Sequence, residues 1–82
     1  MRGNMFTVYI LRTSKNTLYT GYTNNLNKRL LRHQYGKGAK YLRAFDSFKL
    51  VYTETFSTKS EAMTREAQIK KLTKSQKEKL II

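Results

Sequence analysis

The chain has no cysteine, no proline, a single histidine and only five acidic residues among its 82. Without cysteine there is neither a disulfide framework nor a thiolate zinc site to hold a small fold together, so apolar packing must do it, and a reducing compartment is permitted. One histidine and scattered acids exclude a transition-metal cluster. The longest mostly apolar run is Phe6 to Leu11, shorter than a signal-peptide core or a membrane span, which places the protein in the cytoplasm. No repeat and no low-complexity tract interrupts the chain. Its length corresponds to one domain over residues 1–82, near the size at which folding hides only about 60% of the unfolded surface.

What is abundant is positive charge. Seventeen Lys and Arg stand against Asp46, Glu54, Glu61, Glu66 and Glu78, a net +12. Such a balance attracts polyanions before any specific contact forms. Nucleic acid is therefore the expected partner, with binding that weakens by a log-log slope of roughly 0.9 per duplex phosphate contacted as salt rises. A ribosome-associated RNA binder rests on the same charge. A membrane-surface binder fits less well, because the basic residues are spread along the chain and the apolar ones are needed inside.

Phe6 to Arg12 is dense in β-formers, Thr13 to Asn16 has turn character, and Thr17 to Thr23 is β-rich again, which reads as a hairpin. Leu26 to Tyr35 takes helical spacing with Asn24 or Asn25 as its cap, and Gly36 and Gly38 end it. A short helix over Ala39 to Phe45 and a third strand over Lys49 to Thr55 follow. Thr58-Lys59-Ser60-Glu61 is a capping-box pattern opening a helix to about Leu72, and Thr73-Lys74-Ser75-Gln76 repeats it before a last short helix. The order ββα(α)βαα predicts an α+β fold: a small, mainly antiparallel sheet packed with helices.

Whether Tyr9 and Tyr19 share a face depends on the hairpin connection, because directly opposed residues of an antiparallel pair point the same way. An odd-length connection such as 12–16 brings them opposite each other; the four residues 13–16 would separate them. Two phenols on one face can orient a water or a phosphate oxygen, yet tyrosines also simply suit strands. Gly21 lies on the face of Tyr19, where a missing side chain leaves room for a bulge or for close approach of a ligand. Arg29 and His33 are four apart on one helix edge, suited to clamping a phosphate and to moving a proton. Lys28 and Arg32 on the same helix compete with Arg29. Glu66 falls with Ala62, Met63, Ile69 and Leu72 on the apolar stripe of its helix. It can hold a hard divalent cation, pair with Lys70, or form a salt bridge to a nearby Arg. "GKGAK" (36–40) is not a P-loop, although its glycines and lysines can touch phosphate.

"TVY" at 7–9, "YTG" at 19–21, Arg29 with His33 one turn later, and a Glu in a later helix together resemble the GIY-YIG nuclease superfamily. More narrowly, residues 6–80, with "LYTG", "H…GKGAKYLR" and "IKKLTKSQKEKLI", resemble its small stand-alone bacterial YhbQ-like group. The resemblance implies a three-stranded antiparallel sheet flanked by helices, and hydrolysis of DNA phosphodiesters with one divalent ion, Mg2+ or Mn2+. It makes Tyr9 and Tyr19 the motif tyrosines, one of them positioning or deprotonating the attacking water. Gly21 becomes the motif glycine, Arg29 the phosphate-binding arginine, His33 the residue assisting near the nucleophile, and Glu66 the metal ligand. Lys28, Arg32, Lys37, Lys40, Arg43 and Lys70 are the further candidates for contact with nucleic-acid phosphates. For a tyrosine to serve as the base at neutral pH, cationic neighbours must lower a pKa that is ordinarily near ~10.

The sequence departs from the pattern in "TVY" and "YTG" themselves and in having no Asn after Asn27, where many of these nucleases carry one beyond the metal-binding Glu. The expectation is a metal-dependent endonuclease or nickase of low intrinsic sequence specificity, acting on DNA ahead of RNA. Branched, damaged or single-stranded DNA would be its substrate, and the protein a monomer or weak dimer, with a protein partner left open. The rival is a basic nucleic-acid-binding module that keeps the fold without the chemistry.

Overall fold

The computed structural model describes residues 5–34 and 47–82. The expected helix end at Gly36 and Gly38 and the short helix over Ala39 to Phe45 lie outside the described residues, as do Lys37, Lys40 and Arg43. The described elements are β1 (Phe6–Thr13), β2 (Leu18–Thr23), α1 (Leu26–Gln34), β3 (Phe48–Phe56), α2 (Lys59–Lys70) and α3 (Lys74–Ile81). The three strands form one antiparallel sheet in the order β2-β1-β3, as the α+β reading expects.

The hairpin closes through a turn in which the Asn16 N–H donates to the Thr13 carbonyl at 2.9 Å, while the Thr13 N–H donates to the Thr17 carbonyl at 2.9 Å. Asn16 sits at φ 64, the left-handed region that asparagine tolerates better than most residues. The connection is therefore residues 14–16, odd in length but shorter than 12–16. Tyr9 consequently faces Gly21, and Tyr19 faces Leu11. The two tyrosines share a face as diagonal neighbours rather than as a directly opposed pair.

β1 is the central strand and is buried on both faces. Val8 and Ile10 pack with Ala62 and Ile69 of α2, with Phe56, Leu80 and Ile81 closing that side. Tyr9 and Leu11 form the opposite core with Leu26 and Leu30 of α1, Tyr19 and Phe48. Each fully buried large aliphatic side chain contributes about 1.5–3 kcal/mol. β3 serves both cores because its register shifts between Ile10, opposite Tyr52, and Leu11, opposite Leu50. Val51 is the extra residue of that bulge. An inserted residue exchanges the faces of a strand, so Tyr52 and Phe56 join Ile10 while Phe48 joins Tyr9.

Helix starts follow their caps. Thr73 accepts from the Gln76 N–H at 3.2 Å, and Gln76 accepts from the Thr73 N–H at 2.9 Å, a complete capping box. At α2 the Thr58 hydroxyl accepts from the Glu61 N–H at 3.2 Å, but the Glu61 carboxylate takes the hydroxyls of Thr58 and Ser57 at 3.0 and 3.3 Å. Only half of that box forms. Ala62 and Ile69 line the buried stripe of α2, whereas Met63 is 47% exposed; one residue is a turn of about 100° on a helix, enough to carry its side chain off the core. At the far end of β1, Arg12 grips both carboxylate oxygens of Glu78 at 2.6 and 2.7 Å, and Lys74 adds a contact at 2.9 Å. The Arg12 hydrogen bonds first, then those of Lys74, hold the Glu78 carboxyl at about 2, tying β1 to α3 until acid protonates it.

Candidate active site

The site begins at the missing side chain of Gly21. A Cβ there would lie 2.6 Å from the Tyr9 hydroxyl and 2.8 Å from Cζ. Gly21 therefore makes room for the phenol of Tyr9 on the opposite strand, and the close approach expected at this position is made by the protein's own ring. Tyr9 is fully buried. Its hydroxyl lies 2.9 Å from His33 Nε2, and the rings of Tyr9, Tyr19 and His33 form a cluster with centroids 5.7 to 6.4 Å apart. Phe48 meets His33 edge-on at 6.0 Å, an arrangement that matches the electropositive ring edge to the face of its neighbour.

Helix α1 places the cations. Asn25 is its cap: its side-chain oxygen accepts from the Lys28 N–H at 3.1 Å, and the Thr23 hydroxyl accepts from the Asn25 N–H at 3.1 Å. From that start Leu26, Arg29, Leu30 and His33 share the inward face at i, i+3, i+4, i+7 spacing. His33 is only 4% exposed, Arg29 is half-buried, and Lys28 and Arg32 are exposed. Burial thus separates Arg29 from the two cations that compete with it in the sequence. No acid stands in the first turn of α1, and Arg29 makes no ion pair among the described residues.

Arg29 opens onto a cleft of about 540 Å³. From β2 and the turn after it come Tyr19, Gly21, Tyr22, Thr23 and Asn24; α2 supplies Lys59 and Glu66, and β1 supplies Phe6. A smaller polar groove of about 110 Å³ continues past Arg29 along Asn25, Lys28 and Arg32. Tyr19, Gly21, Arg29 and Glu66 therefore meet at one cleft. Tyr9 and His33 lie buried behind it. Lys70 is exposed and makes a 3.5 Å ion pair to Glu66.

The electrostatics assign protonation states. Burial, then the neighbouring Tyr19, pushes the Tyr9 phenol up to about 12, against an opposing pull from Arg29. The expectation that cationic neighbours lower a motif tyrosine fails at Tyr9, because desolvation of the phenolate outweighs the guanidinium. Burial, then Arg29 and Arg32, holds the His33 imidazole below its usual 6.5. At neutral pH Tyr9 is a phenol and His33 a neutral imidazole. A phenol whose folded pKa exceeds its unfolded 10.0 contributes stability that is complete below pH 10 and is lost as pH rises towards 12. Urea unfolding is expected to show about 1.4 kcal/mol of that loss by pH 11. Tyr9→Phe, which has no proton to lose, should flatten the dependence; an unchanged slope in that variant would place the titration elsewhere.

One carboxylate on an open polar cleft fits a hard divalent ion, which takes one or two carboxylates and completes its shell with water and phosphate oxygens. It does not fit a transition-metal cage, and among the described residues no group of three or more His, Cys, Asp and Glu side chains converges. Glu66 is the residue that would hold such an ion. The sequence reading missed Lys59, Asn24, Phe6 and Tyr22. For Lys59 a signal existed: it stands seven residues before Glu66, on the same side of α2.

Known proteins resemble this chain along most of its length. Residues 5–79 match the GIY-YIG catalytic domain. The chain is 54% identical to the UPF0213 protein OB0043 of Oceanobacillus iheyensis, over 90% of this chain and 86% of that protein. It is 49% identical to the UPF0213 protein NP_0776A of Natronomonas pharaonis, over 90% and 87%. The solution NMR structure of the UPF0213 protein BH0048 from Bacillus halodurans is similar with a TM-score of 0.62 at 43% identity, over 94% of this chain and 82% of that one. That of EF2693 from E. faecalis gives 0.64 at 37% identity, over 98% and 88%.

Proposed function

The chain belongs to the GIY-YIG catalytic domain family, a nuclease family, and from that premise we propose that residues 1–82 act as one metal-dependent DNA endonuclease or nickase unit of low intrinsic sequence specificity. The observation that carries this reading is the convergence of Tyr19, Arg29 and Glu66, from three separate elements, on one polar cleft. Its substrate is DNA ahead of RNA, in branched, damaged or single-stranded form, and the protein works as a monomer or weak dimer in the cytoplasm.

In this reading Arg29 binds the scissile phosphate. Its planar fork matches two phosphate oxygens, and no carboxylate among the described residues competes for it. Tyr19 is the hydroxyl that meets the attacking water, because it lines the cleft while Tyr9 does not. His33, held below its usual range by burial and by Arg29 and Arg32 and edge-on to Tyr19 at 5.7 Å, assists by packing behind Tyr19 and fixing the place of its ring. Tyr9 keeps its own proton and acts as a positioning residue, fixing His33 through the 2.9 Å contact. Water adds to phosphorus as its proton passes to solvent, one P–O ester bond breaks, and the departing sugar oxygen is protonated from solvent. A single Mg2+ or Mn2+ at Glu66, when bound, supplies a Lewis acid for the charge developing on the phosphate and leaving oxygens. Lys28 and Arg32, with Lys37, Lys40 and Arg43, contact flanking phosphates.

The alternative, a binding module without catalysis, is favoured by one observation: among the described residues the only cation paired with Glu66 is its i+4 neighbour Lys70 at 3.5 Å. The two part in a cleavage assay on supercoiled, branched and single-stranded DNA, with Mg2+ or Mn2+ and with EDTA. The nuclease reading expects products that depend on the ion and disappear in EDTA. Tight binding with intact DNA under every condition would establish the module.

A further inference from the structure

We propose that Lys59 is a phosphate-contacting residue that holds the strand on the side of the cut opposite Lys28 and Arg32, so that the nucleic acid runs through the site along a defined track. The proposal rests on the reading of the cleft as the place where phosphate binds. Lys59 is the first residue of α2, two helical turns before Glu66 and so roughly 10 Å from it along the axis. It shares the helix side of Ala62, Glu66 and Ile69, which sets its exposed side chain at the rim of the cleft.

Two cavities meet at Arg29. The cleft contains Lys59 and Glu66 but neither Lys28 nor Arg32; the groove contains Lys28 and Arg32 but neither Lys59 nor Glu66; Arg29, Thr23 and Asn24 line both. Arg29 thus lies between Lys59 on one side and the α1 cations on the other. A strand whose scissile phosphate rests on Arg29 meets a cation in each direction. Lys59 is also available for the purpose. The acid in its own turn, Glu61, is taken by the hydroxyls of Ser57 and Thr58, Glu66 pairs with Lys70, and Lys59 has no ion pair among the described residues. Lys59, roughly 10 Å along the helix axis from Glu66, is assigned a neighbouring phosphate, and Arg29 the one being cut.

The test is the salt dependence of binding, measured by fluorescence anisotropy in EDTA with fluorescein-labelled oligodeoxynucleotides, single-stranded and duplex. Lys59→Ala is expected to lower the log-log slope by about 0.9 on duplex or 0.7 on single strands, the loss of one phosphate contact. Lys59→Arg restores it. Lys79→Ala, an exposed lysine of α3 that lines neither cavity, leaves the slope unchanged. In cleavage assays Lys59→Ala raises KM with kcat unaltered. An unchanged slope in Lys59→Ala, or an equal fall in Lys79→Ala, overturns the proposal. Because anisotropy in EDTA needs no cleavage, a wild-type protein that cuts nothing would remove the nuclease reading while the slopes still decided the role of Lys59.

Discussion

Replacing Glu66 by alanine or glutamine is expected to lower DNA cleavage by about 10²–10³-fold, the loss seen when one preorganised electrostatic group is removed from a site, while binding is retained or tightens. A carboxylate facing a phosphate repels it, so in a cleft built for binding alone Glu66 is a hindrance; its removal separates chemistry from affinity. Arg29→Ala is expected to lose cleavage to a similar degree and to lose affinity as well, because the guanidinium contacts the phosphate in both ground and transition states. Arg29→Lys should recover affinity more than rate, since an ammonium supplies charge without the two-pronged geometry. Rates at saturating DNA, paired with anisotropy in EDTA, distinguish these outcomes. Thermal unfolding is the control: the Glu66 to Lys70 pair is weak and partly exposed, with a contribution of at most about 1 kcal/mol. A Glu66→Ala protein that cuts at the wild-type rate would remove this carboxylate from the chemistry.

Gly21→Ala is expected to destabilise the fold by about 2–3 kcal/mol, towards the upper end for an overpacked core, and to impair cleavage out of proportion. The added Cβ would sit 2.6 Å from the Tyr9 hydroxyl and 2.8 Å from Cζ, closer than van der Waals contact allows. The phenol has no direction in which to swing: it is buried among Tyr19 and His33 and anchored to His33 at 2.9 Å. Either the strands separate or the ring leaves its partner, and both displace His33 from its place behind the cleft. Tyr9→Phe in the Gly21→Ala background should recover part of the loss and no more, because it removes the hydroxyl contact but leaves Cζ in place. Urea midpoints for the two single variants and the double form a cycle whose coupling term measures that contact directly. Full stability in Gly21→Ala would mean that Tyr9 does not lie over Gly21.

The order of elements was legible in the sequence because each signal is local. Alternating β-formers bracket the hairpin, leucines four apart and an asparagine cap set α1, and threonine caps open α2 and α3. The site residues were legible as types at recognisable spacing. Three particulars were not. The register offset that puts Tyr9 over Gly21 depends on Asn16 adopting a left-handed conformation, one of several ways to close an odd-length connection. The bulge at Val51, which sends Phe48 to one core and Tyr52 to the other, has no glycine or proline to announce it. Lys59 belonged to a capping-box sequence, and its place on the Glu66 side of α2 gave no sign that the cleft would open there.

By itself, then, the sequence determined the helices, the strands, their alternation and the presence of two tyrosines, an arginine, a histidine and a glutamate at the spacing of one nuclease family. Only the tertiary structure decided which of them face the cleft and in what protonation state: Tyr19, Arg29 and Glu66 line it with Lys59, while Tyr9 and His33 stand behind it as neutral groups. The reason is physical. Helix and strand periodicity arise from neighbours within a few residues, whereas the desolvation that raises Tyr9 and lowers His33 is imposed jointly by β1, β2, α1 and β3, which the chain brings together only on folding.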